Sequence, residues 1–217
     1  MADKYYVYRP MLDLIGKSEG TDRKRGYNET LGYGAYTGGD VNLVGMTLTK
    51  IDALQTKMLK HPANYMNSSA LGRYQIVRTT LRNIRNTLNL EGSLLFNEEL
   101  QDKCACYLLG VRGIDKWIAG RLSDDTMLNN LAREWASLPM PNGKGAYGGQ
   151  HAAVTVAEVM AALRACRARA SAPKPAPVIV PATVPPRAGK RTLAGWIAAA
   201  ITAIGAMVAA KYGGKFW

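Results

Sequence analysis

Met11-Leu12-Asp13-Leu14-Ile15-Gly16-Lys17-Ser18-Glu19-Gly20-Thr21-Asp22 is the stretch on which the reading turns. Met11, Leu12, Leu14 and Ile15 recur at the spacing of one buried helix face, which predicts a first helix from about Tyr5 to Ser18. Glu19 then falls where that helix gives way to a turn. Asp22 sits in the turn, suited to ordering it through side-chain-to-backbone bonds. Two later stretches complete the picture: Gly72-Arg73-Tyr74-Gln75, and Trp135-Ala136-Ser137-Leu138-Pro139 with the Gly-rich run Gly143 to Gly149 behind it. One early carboxylate, a Gly-Arg-Tyr-Gln segment and an aromatic–small–Pro wall read as a cleft built around a single acid.

The rest of the first 170 residues is patterned as helix. Thr47 or Thr49 caps a helix carrying Ile51, Leu54 and Met58, which His61-Pro62 stops. Val77, Leu81, Ile84 and Leu88 form a stripe of period 3.6. The same helix aligns Arg78, Arg82 and Arg85 on another face, readable as a solvated surface or as attraction to an anionic envelope. Asn97 with Glu98 and Glu99 opens a helix through Leu100, Cys104 and Leu108, since acids favour a helix N-terminus. Asp124 or Asp125 caps the helix leading to Trp135, and a last helix runs from about Gln150 to Arg169. Residues 20–45, rich in Gly, Tyr, Asn and Thr, alternate too briefly for a helix and predict a small β-hairpin region. The expected class is α+β, mainly helical.

Charge and composition narrow the function. The chain has 217 residues, a 47% hydrophobic fraction and net charge +12. That suits one domain with a proper core plus appendages. The basic balance points to an anionic partner: nucleic acid, anionic lipid or an envelope polymer. Nucleic acid is the weakest of these, because all 16 acids interleave with basic residues before position 171 and no recognition motif appears. Three cysteines, with Cys104 and Cys106 on different helix faces, read as reduced or buried thiols. His61 and His151 show no ligand spacing, so no metal is expected.

In order and spacing, the three stretches and Tyr147-Gly148-Gly149-Gln150 resemble the lambda-type phage lysozymes, which are peptidoglycan lytic transglycosylases, over roughly residues 5–165. No single motif carries this; three in register do. The resemblance implies a lysozyme-like fold, action on peptidoglycan glycan strands without cofactor or metal, and Glu19 as the catalytic acid. It implies substrate contacts from Arg73, Tyr74, Gln75, Trp135, Ser137, Tyr147 and Gln150. Between Gly26 and Asn67, Tyr27 to Tyr36 included, and at the inserted Met140-Pro141-Asn142 the chain departs from that pattern.

Glycosidic cleavage needs an acid on the leaving oxygen and something to meet the developing cation. A hydrolase normally shows two carboxylates. A transglycosylase uses one, because the muramic acid C6 hydroxyl attacks in place of water. Many phage muramidases carry an Asp nine positions after the acid; here that position is Asn28, and Glu29 follows it. A hydrolytic muramidase using Glu29 is therefore the alternative, with Asp22 and Asp40 as weaker candidates. A third reading is a membrane-disrupting protein whose globular head only binds peptidoglycan.

Three segments follow: a catalytic domain over 1–170, a Pro/Ala-rich linker with a basic end over 171–191, and a hydrophobic helix over 192–217. The linker has six prolines between Ser171 and Pro186. Leu193 to Ala210 is eighteen residues without a charge. As a helix that is about 27 Å, close to a bilayer core. Trp196, Tyr212 and Trp217 suit interfacial positions, so the tail is expected to associate with the bacterial membrane. No charged region followed by an apolar run opens the chain, which predicts synthesis in the host cytoplasm without a cleavable signal and action on periplasmic peptidoglycan.

Overall fold

The computed structural model describes residues 3–148 and 151–172, in which seven α-helices lie in the order α1 (Arg9–Ser18), α2 (Leu48–Leu59), α3 (Arg78–Thr87), α4 (Glu98–Val111), α5 (Ile114–Ile118), α6 (Asp124–Glu134) and α7 (Val156–Ser171). α1 packs against α7 and α4, and buries Met11, Leu12 and Ile15 completely. Each such side chain contributes about 1.5–3 kcal/mol over an exposed one. This helix, held from two sides, fixes where Glu19 stands.

Local chemistry explains most boundaries. Thr47 Oγ1 accepts the Lys50 N–H, and α2 ends at Leu59, ahead of His61-Pro62. Asn97 Oδ1 accepts the Leu100 N–H at 2.9 Å, with Glu98 and Glu99 in the first turn of α4. α6 differs from expectation. Ser123, not Asp124 or Asp125, caps it, and Asp124 instead accepts the Trp117 indole N–H at 2.7 Å. α7 begins at Val156 rather than near Gln150, because Thr155 and Glu158 form a reciprocal capping box there. On α3 the arginine face is partly neutralised: Arg78 and Arg82 both pair with Asp52 of α2.

The expected β-hairpin over 20–45 is not formed. The segment is a series of 3₁₀ turns, Thr21–Arg23, Gly26–Asn28, Leu31–Gly34 and Leu43–Gly45. Among the described residues β-structure is confined to isolated bridges, Thr30 with Leu71, Leu71 with Ile76 and Thr47 with Leu95. Left-handed residues at Gly20, Gly26, Gly32, Tyr33 and Gly34 turn the chain too often for two strands to run alongside. The three cysteines are free thiols. Burial pushes the Cys104 thiol up to about 12. No helix among the described residues is long and apolar enough to cross a membrane. Of the linker expected over 171–191, Ser171 still belongs to α7 and the residues from 173 on lie outside the described ones, as does the helix expected over 192–217.

Candidate active site

Glu19 is the residue that ends α1. Its N–H still donates to Ile15 O at 2.9 Å, and Gly20, at φ 75°, then swings the chain out of the helix. The carboxyl is therefore carried on a rigid element but lies just beyond its last turn. Among the described residues its one side-chain hydrogen-bond partner is Ser137, whose Oγ donates to Glu19 Oε1 at 2.7 Å. Burial pushes the Glu19 carboxyl above the ordinary glutamate value, and the Ser137 hydrogen bond partly opposes that rise. A carboxyl raised in this direction holds its proton to higher pH than a free glutamate does, which favours a general acid.

The turn after Glu19 is clamped from the opposite side of the fold. Thr21, buried, donates its hydroxyl to Arg73 O at 2.8 Å, with Gly16 O also within reach at 3.1 Å. Arg73 reaches back across α1: its Nε and Nη2 each donate to Asp22 at 2.7 Å, and Nη2 also meets Asp13 at 3.1 Å. This two-pronged pair lies directly on Gly16, where an added Cβ would come within 2.7 Å of both Arg73 Nε and Asp22 Oδ1. A glycine in a helix normally costs stability; here its bare backbone makes room for the clamp.

Gly72 to Gln75 is a tight turn built on one buried amide. Gln101 accepts the Arg73 N–H at 3.0 Å and donates to Tyr27 O and Phe96 O, each at 2.9 Å. Gly72, at φ 75°, must be glycine, because a Cβ would sit 2.2 Å from Gln101 Oε1. Gln75 is left-handed at φ 49° and folds its side chain onto Gly72 O at 2.9 Å. Tyr74 is buried, with its hydroxyl on Asp102. Asp102 also accepts from Tyr27 Oη and from Arg9 Nη2, both at 2.7 Å. Trp135 is buried as well and donates its indole N–H to Tyr74 O at 3.3 Å.

The residues implied by the resemblance thus divide into three groups. Ser137 meets Glu19 directly. Tyr74, Gln75 and Trp135 direct their polar groups inward, while Arg73 spends its guanidinium on Asp22 and Asp13. Tyr147 is exposed and donates to Arg133 O at 2.8 Å, beside a surface hollow lined by Gly143, Lys144, Gly148 and His151. Gln150 lies outside the described residues.

Glu29 stands differently. Its side chain is 3% exposed. Oε1 accepts the Thr30 N–H at 2.9 Å, and Oε2 faces the Arg25 N–H at 3.3 Å. Arg25 spans Glu29 and the exposed Asp40. Sequence reasoning missed Gly16, Ser18, Gln101 and Asp102. The readable signal for the last two was a pair of polar residues inside the buried stretch of α4.

Residues 9–168 match a family model described as Endolysin. No curated protein and no solved structure matches the chain.

Proposed function

The chain belongs to the endolysin family, whose members degrade peptidoglycan in phage lysis, and we propose that it cuts the glycan strand as a lytic transglycosylase with Glu19 as its single acid and base. The bond is the β-1,4 linkage from MurNAc to GlcNAc. Protonated Glu19 gives its proton to the linking oxygen as the C1–O bond breaks. The muramic acid C6 hydroxyl then bonds to C1, and the Glu19 carboxylate takes the C6 proton. The product is a 1,6-anhydro-MurNAc end, and Glu19 leaves the cycle protonated, as it began.

The observation that carries this reading is the contrast between the two candidate carboxyls. Glu19 is half-buried, raised by desolvation and tied to one hydroxyl. Glu29 is almost wholly buried and turned toward its own backbone and Arg25. Water has no comparable route to Glu29, while Asp22 and Asp40 are paired with Arg73 and Arg25, which supports attack by the sugar's own hydroxyl. Residues 1–170 are the catalytic unit in this reading. The linker over 171–191 and a membrane-associated helix over 192–217 would hold it near the envelope, a role resting on the uncharged run from Leu193 to Ala210.

Mass spectrometry of the muropeptides released from purified peptidoglycan tests the proposal. Ends lighter by one water than reducing ends are expected. Reducing ends would mean that water attacked, and would replace the transglycosylase with a hydrolase.

A further inference from the structure

Tyr33 lies in the run of turns between Thr30 and Gly39, and nothing in the framework around Glu19 uses it. Its backbone is left-handed, φ 55° and ψ 46°, between Gly32 at φ 65° and Gly34 at φ 94°. Glycine accepts that region freely; a bulky L-residue does not, because its Cβ crowds the following carbonyl. Such strain persists only where the surroundings over-determine it. Here they do. Leu31 N–H donates to Ala70 O at 3.1 Å, Tyr33 N–H to Thr30 O at 2.9 Å and Gly39 N–H to Gly34 O at 3.1 Å. Tyr36, three residues on, anchors the loop by packing edge-on against His61 at 5.6 Å between ring centroids.

The strain at Tyr33 is not repaid by burial. Tyr36 is 8% exposed, and Tyr33 is 62% exposed. The Tyr33 hydroxyl lies 3.7 Å from where a Cβ on Gly20 would stand, so the ring is held beside the residue that follows Glu19. Lys24, itself exposed, brings its ammonium within 5.6 Å of the ring centroid. A large ring is thus presented to solvent, in a costly backbone conformation, against the glycine that follows the candidate acid.

We infer that Tyr33 is a sugar-binding platform beside the turn that follows Glu19, taking a pyranose of the glycan strand against its ring face. The C–H groups of a pyranose carry partial positive charge, which suits the negative face of an aromatic ring. The inference rests on the proposed reading of Glu19. It assigns to this loop a contact that positions the strand and takes no part in the chemistry.

The test is steady-state cleavage of soluble, peptide-free glycan strands by the full chain and by Tyr33→Asn and Tyr33→Phe. Asparagine adopts the left-handed region readily, so it removes the ring without disturbing the loop. Tyr33→Asn is expected to raise KM about tenfold with kcat within about twofold of wild type, the pattern of lost uniform binding. Tyr33→Phe keeps the face and is expected to retain the wild-type KM. Relief of strain should leave the Tm of Tyr33→Asn equal to wild type or higher by about 2–4 °C. An unchanged KM in Tyr33→Asn, or a fallen Tm, overturns the platform while leaving Glu19 untouched. If the wild-type chain cleaves nothing, the reading of Glu19 fails and takes the platform with it.

Discussion

Ser137 donates to Glu19 Oε1 at 2.7 Å while its oxygen stands 2.9 Å from Ser18 Oγ, which in turn lies 3.0 Å from Ile15 O. A serine hydroxyl has one proton, so these three contacts cannot all be donated toward the acid together. Two arrangements satisfy the chain. With Glu19 ionised, Ser18 donates to Ser137 and Ser137 to the carboxylate. With Glu19 protonated, the acid donates to Ser137, Ser137 to Ser18, and Ser18 to the helix carbonyl. The same four groups therefore stay hydrogen-bonded in either protonation state of Glu19 without moving a heavy atom.

Ser137→Ala breaks that relay. A hydrogen bond to an ionised carboxylate is stronger than one to the neutral acid, so its loss raises the Glu19 carboxyl further. The limb of the pH–rate profile along which activity falls as Glu19 loses its proton should move to higher pH. The rate at the optimum should drop by about tenfold or more, within the usual range for a mispositioned general acid. A profile of kcat/KM against pH reads both. An unmoved limb would leave Ser137 as a sugar contact only.

The helices were legible because their signals are local. The stripe Val77, Leu81, Ile84 and Leu88 and the caps at Thr47 and Asn97 name α3, α2 and α4 without tertiary information. Residues 20–45 were not legible. Their alternation resembles a hairpin, while their glycines take left-handed turns that only the completed fold selects. The site shows the same split. Glu19 was readable as a carboxylate at a helix end. Its support comes from Arg73 and Gln101, distant in sequence, and no periodicity encodes a buried glutamine that satisfies three backbone groups.

Glu19→Gln should be inactive yet more stable at neutral pH. The folded state raises this carboxyl, so it binds the proton more tightly than the unfolded chain does. Stability is therefore lost as pH rises from the ordinary glutamate value through the raised one, and wild type holds a poorly solvated charge above that window. Glutamine is uncharged and still accepts from Ser137. Its melting point at neutral pH should exceed wild type by about 2–4 °C for each kcal/mol relieved. Calorimetry at a series of pH values should show the gap closing as wild type takes up its proton. A gap constant with pH would contradict the assigned shift.

Gly16→Ala should destabilise the fold, although alanine is the better helix former by about 1 kcal/mol. The new methyl would stand 2.7 Å from Arg73 Nε and Asp22 Oδ1, and the two-pronged pair would have to shift. Overpacking of this kind costs about 1–3 kcal/mol. Glu19 lies three residues on, and its turn is held by the displaced Arg73, so kcat should fall with the Tm. A Gly16→Ala variant as stable as wild type would mean that the clamp moves without cost.

Glu29→Gln separates support from catalysis. The amide oxygen can still accept the Thr30 N–H and the Arg25 guanidinium, but its NH2 would then face the Arg25 backbone N–H, donor against donor. Leaving buried groups unpaired in this way costs about 1–3 kcal/mol, visible as a lower urea midpoint. Chemistry should survive: the products should keep their anhydro ends, with a rate loss well below the roughly 10²–10⁴-fold expected of a lost general acid or base. The argument is one of access. A base that activates water must face water, and the Glu29 side chain is 3% exposed with both oxygens turned to protein donors. Were Glu29→Gln as inactive as Glu19→Gln while still folded, the turn would have to open during turnover. Glu29 would then be the base of a hydrolase.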